Sequence, residues 1–414
     1  MASPNKGRLA YADLLRCAAM AAVIVLHLAG SQLENVAVGS FAFHVLNVYD
    51  SLSHWCVPVF VMLSGMFLLD PDHPLPLSKL LRGHIFRIFV ALVAWGAAYA
   101  LAAQILTHGL HMADLWNALY QVALGQTHFH LWFLYMIIGL YLVTPILRAF
   151  VRGASRAEFH WFFALVFIFA WLLPNVLRIR PSQTVSLWIN NLNLHLVMGY
   201  VGYYVLGYYL RTYPLSRKAR NTFYGLGILG AAGTIAGTAW LSQQRGMLAQ
   251  TFYNYDNPTI ALMSIAVFLF FQSWAADRTP LPRRHPISVA AKVSFGVYLS
   301  RIFPHAAQPP GHYGFVLFAG AGGAGTGGGG TGVLPGRGLG ALQAPRCGTL
   351  SDLKEIAACS FPVLFFSLSF CRWCWRVITC SAPCWDGGAE WPRISFSCAP
   401  PFSSTPGESP GSSW

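Results

Sequence analysis

The chain has 414 residues, of which 10% are charged and 55% are hydrophobic. Soluble globular proteins carry roughly 25% charged residues, so this composition excludes a soluble protein and indicates a polytopic membrane protein. The net charge is +13, but Lys and Arg stand singly or in small groups between apolar runs. That distribution is typical of membrane-protein loops and not of a nucleic-acid-binding surface. We therefore expect membrane lipid as a partner and no nucleic acid.

Apolar runs of the length that crosses a bilayer, about 20 residues, recur along the first 300 residues. Backbone hydrogen bonds must be satisfied within lipid, so each run predicts a helix. The predicted fold is an all-α bundle of about 9–10 transmembrane helices. Candidate spans lie at about 10–30, 52–69, 86–107, 131–147, 159–177, 193–210, 222–241, 258–275 and 290–304.

The positions of Lys and Arg predict the orientation. With a cytoplasmic N-terminus, 17 of these residues up to Lys292 lie on the cytoplasmic side, and three, Arg178, Arg180 and Arg245, lie outside. Positive charge concentrates in cytoplasmic loops, so the N-terminus is predicted to be cytoplasmic. The outer loops, about 108–130 and 242–257, are polar and aromatic. That composition suits an outward-facing vestibule, and ordinary connecting loops resemble it.

The composition changes abruptly near Arg301. Twelve of the 21 residues from Gly320 to Gly340 are Gly, and seven of the nine Cys follow Arg346. We divide the chain into a transmembrane domain, 1–300, a Gly-rich segment, 301–346, and a Cys/Ser/Pro-rich tail, 347–414. The tail is either a low-complexity segment or, as we prefer, the product of a shifted reading frame. Its Cys spacing resembles that of zinc ligands, but chance spacing is the interpretation we favour, and no metal is expected.

The first span carries the strongest functional signal, because Asp13, Arg16 and His27 interrupt an apolar helix. Eleven positions make almost three turns, so Arg16 and His27 share one face about 16 Å apart along the axis. Asp13 lies one turn before Arg16 and can partly neutralise it. Ionisable groups inside a membrane are rare without a function, and imidazole suits proton transfer. An interfacial ion pair and a hydrogen-bonded histidine at a helix contact stay open on spacing alone.

Five motifs follow one another along the chain: the pattern from Arg8 to His27, then Val57–Met66, Arg87–Tyr99, His130–Tyr141 and Ser294–Ser300. In this order they resemble membrane acyltransferase family 3, which includes OafA-like and WecH-like O-acetyltransferases of surface polysaccharides. At two positions the sequence differs from the family. His84 stands where the family often has the first Arg of an Arg-x-x-Arg motif, and Arg301 replaces an expected His.

The resemblance implies transfer of an acyl group, usually acetyl, from acyl-CoA to a hydroxyl of an extracytoplasmic glycan in the bacterial inner membrane. Acetyl-CoA would then be a co-substrate. By this resemblance His27 is a general base or an acyl relay, Arg16 orients the donor or stabilises an oxyanion, and Asp13 fixes Arg16. The residues expected to hold the phosphates of CoA are Lys79, Arg82 and Arg87.

Two other functions stay open. A transporter or flippase could use Asp13, Arg16 and His27 as a proton or substrate path. The sequence shows no obvious internal repeat of the kind common in transporters, which favours the enzyme. The altered tail also leaves open an inactive, truncated acyltransferase. The acceptor, the acyl group and the oligomeric state are not indicated by the sequence.

Three further patterns have a functional and a structural interpretation. Ser64 could be a nucleophile beside His27, but a Ser-Gly pair more often serves close helix packing. His128 and His130 could bind a metal, but a loop edge is the interpretation we favour. Trp132, Tyr135 and the tyrosines of 200–209 could stack on a glycan, but we favour an aromatic belt at the membrane surface.

Overall fold

A computed structural model describes residues 9–108, 129–192, 199–276 and 284–300, and residues 116, 117, 120, 122, 124 and 282. Every regular element in this part of the chain is helical, as predicted. We label twelve of its α-helices: α1 Ala10–Leu33, α2 Phe41–Ser51, α3 Cys56–Leu68, α4 Phe86–His108, α5 Trp132–Gly153, α6 Arg156–Leu165, α7 Leu173–Ile179, α8 Gln183–Leu192, α9 Val201–Thr212, α10 Arg217–Arg245, α11 Pro258–Trp274 and α12 Pro286–Ser300.

Seven helical segments in the described residues are long and apolar enough to cross a membrane. The protein is therefore an all-α, multi-pass membrane protein. The segments are Ala10–Leu33, Phe41–Leu68, Leu77–Ala102, Trp132–Gly153, Arg156–Ile179, Arg217–Arg245 and Gln250–Trp274, and a shorter apolar helix covers Pro286–Leu299.

Two predicted spans differ from the structure in extent. The span predicted at 52–69 begins earlier, because the apolar segment starts at Phe41. The span predicted at 193–210 corresponds to α9, which begins only at Val201 and has 12 residues. Residues 193–198 lie outside the described part of the chain, as do residues 301–304 of the last predicted span.

A turn at residues 52–55 interrupts the apolar segment Phe41–Leu68 and separates α2 from α3. The Ser40 hydroxyl accepts a hydrogen bond from the Phe43 amide and caps α2. Non-helical backbone at membrane depth persists where it is buried in protein or lines a cavity. The interruption carries Asp50, at the end of α2, and His54 into the bundle interior, where both are buried.

Helices α3 and α9 meet at two glycines that face each other's backbone. A methyl group added at Gly65 would lie 1.8 Å from the Tyr204 carbonyl oxygen, and one added at Gly207 would lie 1.9 Å from the Met62 carbonyl oxygen. Only hydrogen fits in such a space, so the two backbones pack in direct contact. This finding supports the packing interpretation of the Ser64–Gly65 pair.

Helix α1 lies at the centre of the contacts that position the candidate site, against α2, α3, α11 and α12. Near its start, the Cys17 thiol donates to the Ile287 carbonyl at 3.4 Å, which places the first turn of α12 beside it. Near its end, Leu33 packs with Phe43 and Tyr253 in a small apolar cluster. Both ends of α1 are thus fixed by neighbouring helices.

Candidate functional site

Asp13 and Arg16 form an ion pair at the first turns of α1. The Arg16 Nη1 atom lies 3.5 Å from Asp13 Oδ1; the Asp13 side chain is 2% exposed and that of Arg16 is 24% exposed. The Arg16 guanidinium also lies over the Phe67 ring, 5.1 Å from its centroid, a cation–π contact. The carboxylate is thus inside the bundle, while the guanidinium still reaches its edge.

Three arginines gather at this end of the bundle, and we call Arg16, Arg148 and Arg211 the cationic end. Arg211 donates to the Met66 carbonyl at 2.9 Å and pairs with Asp70 at 3.2 Å. Arg148 donates to the carbonyls of Leu68 and His73, at 2.6 and 2.7 Å. Carbonyls at a helix C-terminus attract cations, so Arg148 and Arg211 hold the end of α3 in place.

Arg16 and Arg87 both lie within electrostatic range of the Tyr141 side chain. The charges of both guanidinium groups act on the Tyr141 hydroxyl, which also hydrogen-bonds with Ser64. Arg87 is half-buried near the start of α4. The structure therefore brings together two residues that lie 71 positions apart in the sequence, and both were predicted to contact the donor.

The other two residues predicted to hold phosphates are exposed. Lys79 ends the helical turn Leu77–Lys79, and Arg82 lies in the π-helical segment Leu80–Ile85. Short π-helical segments are rare and frequent at functional sites. The positive charges of Arg87 and Lys79 act on the His84 imidazole in the same segment. This stretch of positive charge adjoins the cationic end through Arg87.

His27 lies near the other end of α1 and is half-buried. One continuous helix carries Arg16 and His27, as predicted, and its geometry separates them by about 16 Å along the axis. Since helical side chains tilt in the same direction, their charged groups stay that far apart. The two side chains cannot contact the same reacting atom.

A second histidine follows an acidic residue that lies beside α1. The position of a methyl group added at Gly30 lies 3.7 Å from Asp50 Oδ1, so Asp50 lies beside the turn that follows His27. Helix α2 returns along α1, because only residues 34–40 connect them. His54, four residues beyond Asp50, lies in the turn that follows α2, with its Nδ1 atom 2.8 Å from the Asp50 carbonyl oxygen.

Aromatic rings surround His54. The Tyr253 ring stacks on its imidazole at 4.5 Å between centroids, and the Tyr255 ring lies 5.6 Å away. Tyr255 in turn stacks on Trp132 at 5.7 Å. The Tyr253 hydroxyl donates to Asn47 Oδ1 at 2.6 Å, which holds the stack in place.

A third histidine lies near these rings. The His130 carbonyl accepts a hydrogen bond from the Tyr298 hydroxyl, and the Tyr99 ring stands edge-on to the His130 imidazole at 5.1 Å. The Tyr99 hydroxyl donates to the Leu299 carbonyl at 2.7 Å. We call His27, His54 and His130 the imidazole layer. These residues belong to α1, to the turn between α2 and α3, and to the short turn Phe129–Leu131 before α5.

Comparison with protein families decides the class. The sequence model of the acyltransferase domain of family 3 matches residues 9–304. The chain belongs to membrane acyltransferase family 3. No curated protein and no solved structure matches the chain.

In this family 3 acyltransferase the residues predicted from the sequence divide between two places. Asp13, Arg16 and Arg87 lie at or beside the cationic end, and His27 lies in the imidazole layer. The Ser64 hydroxyl donates to the Phe60 carbonyl at 2.9 Å and bonds with Tyr141. These contacts, with the glycine contact of Gly65, account for Ser64 without a nucleophilic role.

Sequence reasoning missed Asp50 and His54 as candidate site residues. Asp50 lies just before the span predicted at 52–69 and His54 lies near its start, and neither was singled out as a polar group within the membrane domain. The available signal was their spacing of four, which places an acid and an imidazole on one face of a helix within an apolar segment that begins at Phe41.

Several predicted features lie outside the described residues. These are the side chains of His108, His111, Asp114 and His128 in the long outer loop, and the whole segment 301–414 with its cysteines. Tyr135 is described, and its hydroxyl donates to the Val122 carbonyl at 2.7 Å. Within the described ranges, His, Cys, Asp and Glu form no group of three that could hold a metal ion.

Proposed function

We propose that this membrane acyltransferase transfers an acetyl group from acetyl-CoA to a hydroxyl of a cell-surface glycan, in the inner membrane of a bacterium. The observation that supports the proposal most is the separation of Arg16 and His27 along α1. Two cations, Arg16 and Arg87, lie within electrostatic range of Tyr141 on one side of the membrane domain, and His27 lies about 16 Å further along the helix that carries Arg16.

The cationic end suits the donor. CoA carries several phosphate charges, and guanidinium groups bind phosphate through paired, charge-assisted hydrogen bonds. Arg87 and Arg16 are half-buried near the interior, whereas Lys79 and Arg82 are exposed at its entrance. We infer that the exposed pair attracts the nucleotide and that the half-buried pair orients the arm that carries the thioester.

His27 suits the chemical step. A neutral imidazole accepts the proton of the acceptor hydroxyl while the oxygen attacks the thioester carbonyl. The carbon–sulfur bond then breaks, and the CoA thiolate takes the proton from the imidazolium, so no proton is gained or lost overall. Because Arg16 is too far away to contact the same carbonyl, the distance favours donor orientation over oxyanion stabilisation for Arg16.

The test compares membranes that contain the intact chain, His27→Ala or His44→Ala. His44 is exposed on α2 and serves as the control. The acceptor is surface polysaccharide from the producing cells, stripped of esters with alkali. We expect acetyl-CoA to release free thiol and the polysaccharide to gain esters with the intact chain and the control. His27→Ala should lower both rates by at least about 100-fold.

A transporter would give a different result, since transport does not cleave a thioester. Substrate uptake without thiol release by the intact chain would overturn the proposal. Equal thiol release by His27→Ala and the intact chain would leave the acyltransferase in place but remove His27 from its mechanism.

A further inference from the structure

Asp50 and His54 are buried polar groups that the proposed mechanism does not use. Asp50 is 4% exposed and His54 is 5% exposed, and both lie where the α2–α3 segment is interrupted. A buried polar group without a hydrogen-bond partner destabilises a protein. Groups of this kind inside a membrane protein usually have a function.

The hydrogen bond of His54 fixes its tautomer. His54 Nδ1 lies 2.8 Å from the Asp50 carbonyl oxygen. A carbonyl oxygen only accepts, so Nδ1 carries the proton, and in the neutral ring Nε2 holds a lone pair. None of the hydrogen bonds among the described residues engages Nε2. His54 thus offers a hydrogen-bond acceptor.

Asp50 offers a second acceptor. No hydrogen bond reaches Asp50 Oδ1 from the residues that the structure describes. The nearest cationic candidate is His54 Nδ1, at 3.9 Å, which is charged only when His54 is protonated. His54 Nε2 and Asp50 Oδ1 are therefore two hydrogen-bond acceptors in one buried place. They fit a ligand whose own hydroxyl groups can donate to them.

Three half-buried aromatic side chains lie next to these acceptors. Tyr255 contacts the His54 imidazole and stacks on Trp132 at an interplanar angle of 26°, and Tyr200 lies 5.8 Å from Trp132. Trp132, Tyr200 and Tyr255 are each partly exposed. Faces of this kind can pack against the C–H groups of a sugar ring while hydroxyls at the ring edge donate hydrogen bonds.

We propose that Asp50, His54, Trp132 and Tyr255 form the subsite for the acceptor and that this acceptor is an uncharged sugar ring. The inference rests on the proposed function and deepens it. A simple alcohol would leave one acceptor and the aromatic faces unused. An acidic sugar would bring its carboxylate into a buried place where the described residues put no fixed cation, and burying an unpaired charge is costly.

The test measures two Michaelis constants for each variant, one for the acceptor and one for acetyl-CoA. His54→Phe keeps an aromatic ring against Tyr253 but removes the Nε2 acceptor, whereas His54→Gln restores an acceptor oxygen near that position. The Asp50 carbonyl also accepts from the Ser53 amide at 3.0 Å, so neither variant leaves it unpaired. His44→Gln is the matched control.

The acceptor in this assay is ester-free surface polysaccharide. We expect His54→Phe to raise the Michaelis constant for the polysaccharide about tenfold, which is the effect of losing one hydrogen bond. The constant for acetyl-CoA should stay within twofold of the intact value. His54→Gln should recover at least half of the loss on a logarithmic scale. Asp50→Leu, which removes the Oδ1 acceptor, should behave like His54→Phe, and its control Asp72→Leu, at an exposed position, should match the intact chain.

Three results would overturn the inference. A His54→Phe variant with unchanged acceptor constants would show that no acceptor group binds Nε2. Equal increases in both Michaelis constants, without recovery in His54→Gln, would show a purely structural role. If an acidic polysaccharide were esterified faster than its carboxyl-reduced form, the uncharged acceptor would be wrong. An intact chain that released no thiol with any acceptor would instead contradict the proposed function itself.

Discussion

The cationic end and the imidazole layer both place side-chain donors on backbone carbonyls, but they differ in charge. At the cationic end, Arg148 and Arg211 donate to backbone carbonyls and Arg211 also pairs with Asp70. In the imidazole layer, His54 and Tyr298 donate to carbonyls while carrying no fixed charge. One region therefore concentrates positive charge, and the other concentrates neutral groups and aromatic faces.

The difference teaches which ligand each region can hold. Fixed cations bind anions strongly and neutral hydroxyl groups weakly. Neutral acceptors and aromatic rings bind hydroxyl compounds but bind phosphate weakly. A reaction between a polyanionic donor and a sugar needs both kinds of region. Helix α1 joins them, with Arg16 in one and His27 in the other.

The largest expected effect comes from the glycine contact that supports both regions. We expect Gly65→Ala to destabilise the protein by about 3 kcal/mol or more, since the added methyl group would meet the Tyr204 backbone at 1.8 Å and a backbone cannot rotate away. The measurement is the midpoint of thermal loss of monodisperse protein in detergent. Gly139→Ala, where nothing lies within 4 Å, is the control and should not lower the midpoint.

Arg148→Met should have the next largest effect and tests the cationic end alone. The variant keeps an apolar stem but removes the hydrogen bonds to Leu68 and His73, which we expect to cost about 2–3 kcal/mol. Arg152→Met, one turn further along α5 at an exposed position, should change stability little. Equal midpoints for the two variants in the same thermal assay would contradict the structural role of Arg148.

Arg87→Gln tests whether the donor and the acceptor bind in different regions. We expect the Michaelis constant for acetyl-CoA to rise about tenfold, because one charge-assisted contact to phosphate is lost, while that for the acceptor stays unchanged. Steady-state rates with each substrate varied in turn measure both constants. Arg217→Gln, at an exposed position, is the control. A rise in the acceptor constant alone would reverse the assignment of the two regions.

The smallest effect is expected on the opposite side from the cationic end, at Arg178. Both of its terminal nitrogens donate to the Asp256 carboxylate, at 2.8 and 2.7 Å, but its side chain is 29% exposed, so solvent weakens the pair. Arg178→Met should lower stability by about 1 kcal/mol, and Arg180→Met, at an exposed position, by less. The difference between their thermal midpoints should shrink in high salt; a difference that persists would indicate lost packing instead.

The sequence was sufficient for features that depend on one helix at a time. Hydropathy predicted the helical membrane segments, and the spacing of Arg16 and His27 predicted that both lie on α1. These features follow from bilayer thickness and from the pitch of a helix. The pairing of Asp13 with Arg16 also follows, because the two residues lie one helical turn apart.

The features that sequence reasoning missed depend on contacts between distant segments. Hydropathy does not detect the turn at residues 52–55, because apolar residues continue on both sides of it. The stacking of Tyr253 on His54 joins positions 199 residues apart. Nothing in either local sequence indicates such a pair, and the same holds for the contact of Tyr298 with the His130 carbonyl.

The reciprocal contact of Gly65 and Gly207 has a consequence for motion. If either helix slid past the other by one residue, a side chain would enter a space that holds only hydrogen. Helices α3 and α9 are thus locked in register and must travel as one rigid body. Any opening that admits or releases substrate is therefore carried by the helices around this pair.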